Sequence, residues 1–209
     1  MSSKTTLNEK NLEALGAKRL AKLMIEISTG NAATKRKIRL ALAGAQSPKE
    51  AAREITRRMT SIAQAQRFVT WKNRKGLVDD LKTQRRAIMK QVAPDDPTEA
   101  LSLLWRFMGL APSVFQRCDD SSGTVRGIFE DACEDLGKVA EVARTDPRIL
   151  AETTFNALQA NEYCQYENLI TYMSPALGED GLVRLKALVE EVGKTPVSKS
   201  TGENQGAGD

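Results

Sequence analysis

The sequence predicts an all-α protein, and three observations carry that prediction. Apolar residues recur at spacings of three and four along nearly the whole chain, the period of one face of a helix. Alanine, leucine, lysine, arginine and glutamate, the strong helix formers, are common, while aromatics make up only 5%. No stretch shows the sustained alternation of a half-buried strand, and no Asn-Gly or Asp-Gly turn joins two β-branched runs.

The elements follow in order. Leu12, Leu15, Leu20, Leu23 and Ile27 mark a first helical stretch that Gly16 breaks or bends. Asn31 caps a second helix carrying Ile38 and Leu42, and Gly44 is expected to close it. Ser47-Pro48-Lys49-Glu50 is a strong start signal: serine caps, proline occupies the first turn without losing a needed donor, and Glu50 completes a capping box. Ile55, Met59 and Ile62 form its apolar face. Phe68 and Trp71 fall in the next connection, before a long helix over about 72–92 with Leu77, Leu81, Ile88 and Val92 inward. Asp96-Pro97-Thr98-Glu99 repeats the start signal, followed by Leu101, Leu104, Trp105 and Met108. Residues 119–123 are a polar loop. A helix over 124–144 carries Ile128, Leu136, Val139 and Ala143. Asp146-Pro147 opens the next, with Leu150, Phe155 and Leu158 inward, and two more lie near 163–173 and 182–192. Residues 193–209, rich in Gly, Ser, Thr and Lys, are expected to form a disordered tail.

The prolines that open three of these helices, Pro48, Pro97 and Pro147, stand 49 and 50 residues apart. Behind each, Ala51, Ile55 and Met59, then Ala100, Leu104 and Met108, then Leu150, Thr154 and Leu158 partly match. Such a period suggests stacked helical hairpins in a short solenoid-like repeat. The plainer account is that Ser-Pro or Asp-Pro begins many helices and three fell evenly.

At 209 residues the chain can bury roughly 70% of its unfolded surface and needs neither metal nor disulfide to hold a core. Its three cysteines, Cys118, Cys133 and Cys164, form no Cys-x-x-Cys pair, so they read as small core hydrophobes in a reducing compartment. No signal-peptide pattern opens the chain and no window nears the ~18 apolar residues of a membrane span. A cytoplasmic protein with no membrane contact is the expectation.

Charge is unevenly placed. Residues 1–93 hold 21 Lys or Arg and 7 Asp or Glu, a net of +14, while residues 94–209 hold 10 and 20, a net of −10. The overall +4 therefore conceals a polarised molecule, with a basic helical half over 1–93 and an acidic helical half over 94–192, read as one continuous domain. Lys49, Arg53 and Arg57 stand four apart and make a column on one helix face, away from Ile55, Met59 and Ile62. Lys35 and Arg39 make a similar pair, with Arg36 and Lys37 beside them. Further cations, Arg67, Lys72, Arg74 and Lys75, gather around Trp71.

Three accounts compete for this basic half. An acidic protein partner, or a second copy of the chain, would be steered and oriented by it. Nucleic acid would be held through its phosphates. Or the charges are solvated or paired internally, each exposed pair adding less than about 1 kcal/mol. Two aromatics supply a base-stacking platform poorly, and no zinc finger, basic zipper or RNA-binding sheet motif is present. The expected site is therefore a partner-docking face of Lys35, Arg39, Lys49, Arg53 and Arg57, with nucleic-acid binding by the same residues as the alternative.

Enzymatic chemistry finds little support. The chain has no histidine, which excludes Ser-His-Asp and Cys-His arrangements. It has no phosphate-binding glycine loop of either common type. Glu130, Asp131, Glu134 and Asp135 could hold Mg²⁺ but fan over a wide arc, so a solvated acidic face is the plainer reading. Asp119, Asp120 and Ser121 resemble part of a cation loop without its spaced ligands. Cys118 has Arg117 before it, which would lower a thiol pKa, and two acids after it, which would oppose that. Glu9, Asp79 and Asp80, set among cations, suit helical ion pairs, of which Glu54 with Arg58 is the i, i+4 form. No cofactor and no metal are expected.

Four stretches carry a resemblance to a known family: Thr6-Leu-Asn-Glu-Lys-Asn-Leu-Glu-Ala-Leu-Gly-Ala-Lys-Arg-Leu-Ala, Leu42-Ala-Gly-Ala-Gln-Ser-Pro, Leu77-Val-Asp-Asp-Leu-Lys-Thr-Gln-Arg-Arg-Ala-Ile, and Cys118-Asp-Asp-Ser-Ser-Gly-Thr-Val. Over 5–192 the chain resembles a bacterial family of uncharacterised helical proteins, a domain of unknown function. That resemblance implies an all-helical fold and transfers no catalytic residues. Members are often longer, with further helical hairpins, so it implies a shortened member.

Overall fold

The computed structural model describes residues 5–194, and the expected tail lies almost wholly outside them. The described residues form ten α-helices in sequence and no sheet; a single parallel bridge joins Val69 to Cys118. The all-α prediction holds.

Asn8 caps the short α1 (Glu9–Glu13) by accepting from the Asn11 N–H at 2.8 Å. Gly16, at φ 74°, separates it from α2 (Ala17–Ser28). Neither helix has a buried residue. Asn31 opens α3 (Ala32–Gln46), accepting from Thr34 N at 3.0 Å. Gly44 does not close this helix, contrary to expectation. It lies inside it, where a Cβ would come within 2.3 Å of Gln91 Oε1, so the glycine makes room for a neighbour and is no terminator.

Ser47 ends α3 and caps α4 (Pro48–Ala63), its hydroxyl accepting from Glu50 N at 3.1 Å. Only half of the expected capping box forms. The Ser47 N–H serves Ala43 O, and the Glu50 carboxylate takes Arg53. Ala51, Ala52, Ile55, Met59 and Ile62 are the buried face of α4. The long helix expected next is α5 (Arg74–Ala87), which widens into a π-helical turn over Ile88–Val92, with Ala93 N bonding back to Ile88 O at 2.9 Å. That extra residue lets both Ile88 and Val92 face inward.

Asp96 caps α6 (Pro97–Met108), which buries Ala100, Leu101, Leu103, Leu104, Phe107 and Met108. After the short α7 (Ala111–Phe115) comes α8 (Thr124–Ala143), half of whose residues are buried. Phe129 of α8 meets both Phe107 and Phe115 at ring-centre distances of 5.4 Å. Arg144 ends α8 in the left-handed region at φ 49°. Asp146 caps α9 (Pro147–Gln159), and α10 (Leu169–Lys194) closes the described chain. The helix expected from Tyr163 therefore starts six residues later, after a turn tied by Asn161 and Gln165 side chains to Tyr166 N and Tyr163 N. Within α10, Gly178 adopts φ 57° and ψ −166°, so two helical rods meet there at a bend.

Packing follows this order. The α6 and α8 helices pair at the centre, α9 and α10 pack on each other and α10 on α8, and α3 leans on α4. One buried cluster runs from Leu40 to Leu185. It crosses residue 93 without a break, so the basic and acidic halves share a core. Each of Pro48, Pro97 and Pro147 sits in the first turn of its helix, as the spacing predicts. The intervening elements differ in number and length, from α5 with its π turn to α7 and the 20-residue α8.

Candidate functional site: an arginine-lined cleft on the basic half

The five cations singled out in the sequence are all exposed. Lys35 and Arg39 lie on α3, and Lys49, Arg53 and Arg57 run along α4. Arg53 and Arg57 pair only within their own helix, with Glu50 and Glu54, each at 2.5 Å. Among the described residues, Lys35, Arg39 and Lys49 have no ion pair. The expected pair of Glu54 with Arg58 does not form, because Arg58 turns to Asp80 instead.

Where α3, α4 and α5 meet, Arg36, Arg39, Leu40, Glu54, Arg57, Arg58, Ser61 and Gln84 line a cleft of about 190 Å³. Of the five predicted residues it brings together Arg39 and Arg57. Lys35 stands one turn up α3 from Arg39. Lys49 and Arg53 continue the α4 column beyond the cleft.

Two of these arginines are tied from beside the cleft by Asp80 of α5, whose side chain is only 10% exposed. Its Oδ2 accepts from Arg58 Nε at 2.7 Å and from Arg58 Nη2, and Arg36 Nη2 stands 3.7 Å away. A second bond steadies Arg58, from Nη1 to Ser61 Oγ at 3.0 Å. Asp80 thus holds two guanidiniums in place, as a buried carboxylate must have partners.

Gln84, one turn further along α5, is 4% exposed. Its Nε2 faces Asp80 Oδ1 at 3.4 Å, which fixes the amide orientation, and its Oε1 is buried with no hydrogen-bond partner. An unmet buried acceptor costs on the order of 1–3 kcal/mol.

Sequence reasoning missed Asp80 and Gln84 as parts of one site. A signal for Gln84 existed. It stands three residues after Leu81 and four before Ile88, a lone amide on an otherwise apolar stripe. The pairing of Asp80 with Arg58 spans 22 residues and is visible only in the fold.

Several other sequence candidates are occupied structurally. Arg85 of α5 grips Asp131 at 2.5 Å and Asp135 at 2.6 Å across to α8, and Lys138 takes Glu134 at 2.6 Å. Asp120 accepts from Val125 N and Arg126 N, capping α8 from outside, and Arg74 lies 3.6 Å from it. Asp119 accepts from Ser121 N at 3.2 Å. Among the described residues no group of three or more His, Cys, Asp or Glu side chains is placed to hold a metal ion.

Burial pushes the Cys118 thiol pKa up, and Asp120 adds to this against the pull of Arg74 and Arg117. The sequence left these opposing influences open; burial decides them against a reactive thiolate. Cys133, buried in α8, is pushed up to about 12 by burial. Cys164 is exposed and in a left-handed conformation at φ 56°. Phe68 and Trp71 are both exposed, with Lys72 Nζ 5.4 Å from the Trp71 ring centre. Among the described residues no helix is long and apolar enough to cross a membrane.

No curated protein and no solved structure matches the chain. A family model described as "Family of unknown function (DUF6880)" matches residues 2–208, and the chain belongs to that family.

Proposed function

We propose that this protein is a non-enzymatic helical interaction module of the cytoplasm that docks an acidic protein segment on the α3–α4 face. The observation that carries the reading is the convergence of Arg36 and Arg39 from α3 with Arg57 and Arg58 from α4 on one cleft. Exposed cations on two adjacent rigid helices steer an acidic partner and set its orientation. Lys35, Lys49 and Arg53 extend the positive surface on either side.

The test is retention of a defined Asp/Glu-rich helical peptide on the immobilised protein through a salt series. Retention should fall steeply with salt and vanish when Lys35, Arg39, Lys49, Arg53 and Arg57 are all replaced by Glu. Equal retention by that variant, with its circular dichroism unchanged, refutes the proposal.

Nucleic-acid binding is the second reading, and the exposure of Phe68 and Trp71 favours it. Trp71 is 63% and Phe68 57% exposed, beside Arg67, Lys72 and Lys75, so two rings are open to stacking. Single-stranded DNA should then quench Trp71 fluorescence at low salt. Unchanged emission in wild type, with Trp71→Phe as the blank, discards this reading.

A further inference from the structure

We infer that the anchor entering the α3–α4–α5 cleft is a phosphomonoester, carried on a phosphorylated side chain of the acidic partner. This inference rests on the docking proposal and deepens it.

Charge points to a dianion. Four guanidiniums, Arg36, Arg39, Arg57 and Arg58, line the cleft with one carboxylate, Glu54, and a second, Asp80, pairs with Arg36 and Arg58 from outside its lining. The excess is two positive charges. A carboxylate would neutralise half of it, whereas a phosphomonoester carries about −1.5 to −2 near neutral pH. The donors are of one kind. Every cation lining the cleft is an arginine, whose planar fork matches phosphate oxygens in a way that a lysine point charge does not.

Size narrows the choice further. At about 190 Å³ the cleft falls below the ~300–1,000 Å³ of ordinary small-molecule sites, a size that suits a side-chain head group. The buried Gln84 Oε1 supplies the last constraint. It demands a hydrogen-bond donor next to the anion. The backbone N–H of the phosphorylated residue can supply it while the phosphate remains a dianion among the arginines.

Preorganisation is built in. Asp80 holds Arg58 and Arg36, so two of the four guanidiniums are already placed before the ligand arrives. Arg39, with no ion pair of its own among the described residues, is free to close on the incoming oxygen atoms.

The experiment is a titration of the full chain, followed by ¹H–¹⁵N spectra of arginine Nε–H groups and side-chain amides. The probes are N-acetyl-O-phosphoserine methylamide, phenyl phosphate and N-acetylglutamate methylamide. Both phosphorylated probes should shift the Gln84 amide and the Arg39 and Arg58 signals saturably, at least about tenfold more tightly than the glutamate probe. Arg39→Ala should weaken phosphoserine binding by about tenfold. Gln84→Met should weaken it too while raising Tm, because it removes an unmet buried acceptor without removing volume.

Three results overturn the inference. Absence of saturation by about 10 mM probe leaves no site of useful affinity. Equal affinity for the glutamate probe removes the phosphate preference while leaving the docking proposal standing, since that proposal is judged separately by retention of the acidic peptide. A Gln84→Met protein that binds phosphoserine unchanged, or that is less stable, shows the amide to be structural.

Discussion

Gly137 of α8 lies directly under the backbone of Tyr172 in α10, where a Cβ at position 137 would come within 2.3 Å of the Tyr172 carbonyl oxygen. The two helices approach closely because this one residue has no side chain. Gly137→Ala should therefore force them apart and cost about 2–3 kcal/mol of stability, at the upper end for overpacking. Gly127, ten residues earlier on the same helix, has open space where its Cβ would stand. Gly127→Ala should stabilise the protein by about 0.5–1 kcal/mol through helix propensity. Urea unfolding of the two variants measures both, and equal effects would contradict this view of the helix crossing.

The two carboxylates gripped by Arg85 should differ sharply in value. The Asp135 side chain is 6% exposed and that of Asp131 56%. Asp131→Ala should cost under about 1 kcal/mol, as exposed pairs do. Asp135→Ala strips the inner partner from a guanidinium that is itself mostly covered, and about 2–3 kcal/mol is expected, discounted from the fully buried case because Arg85 keeps some access to water. Thermal unfolding of the pair of variants decides the ranking.

Alkaline pH should weaken the fold through two buried acids. Burial raises Cys133 from 9.0 to about 12, and burial followed by the neighbouring Cys133 raises Tyr166 from 10.0 to about 12. Both are neutral in the folded state over a range in which the unfolded chain ionises. Their contribution is whole below pH 9 and is lost progressively as pH rises from about 9 toward 12. The urea midpoint of wild type should fall over this window. Cys133→Ala, less stable at neutral pH, should show a shallower decline, and a parallel decline would refute the assignment to Cys133.

The first two helices should open independently of the rest. α2 rests on α3 and buries no side chain, while Leu23, Met24, Ile25 and Ile27 remain exposed. Hydrogen exchange in α2 should occur by local opening well below the free energy of global unfolding, whereas the α8 amides should exchange only on global unfolding. Equal protection in both helices would show that α2 is held by contacts beyond those described.

Much of this architecture was legible in the chain. Ser47-Pro48, Asp96-Pro97 and Asp146-Pro147 announced three helices correctly, because a cap and a proline act within one turn and need no tertiary help. Gly44 was misread for the complementary reason. A glycine inside a helix reads as a stop unless its neighbour is known, and Gln91 lies 47 positions away in the sequence. The same limit applied to the cleft. Its exposed rim, Arg39 and Arg57, could be named from spacing on single helices. Its inner parts, Arg58 with Asp80 and the unmet oxygen of Gln84, depend on how α4 and α5 cross. A local pattern reports which side of a helix is wet; it does not report which two wet sides meet.

Gly178 gives the end of the described chain a particular property. Its φ and ψ of 57° and −166° lie in a region that residues with a side chain enter only at a cost of about 1–3 kcal/mol. A rod of sixteen residues, 179–194, follows it. At about 1.5 Å per residue that rod reaches some 24 Å. The turn at this one amino acid aims the rod along α9, where Leu185 reaches the core and Arg184 meets Glu152 at 2.8 Å.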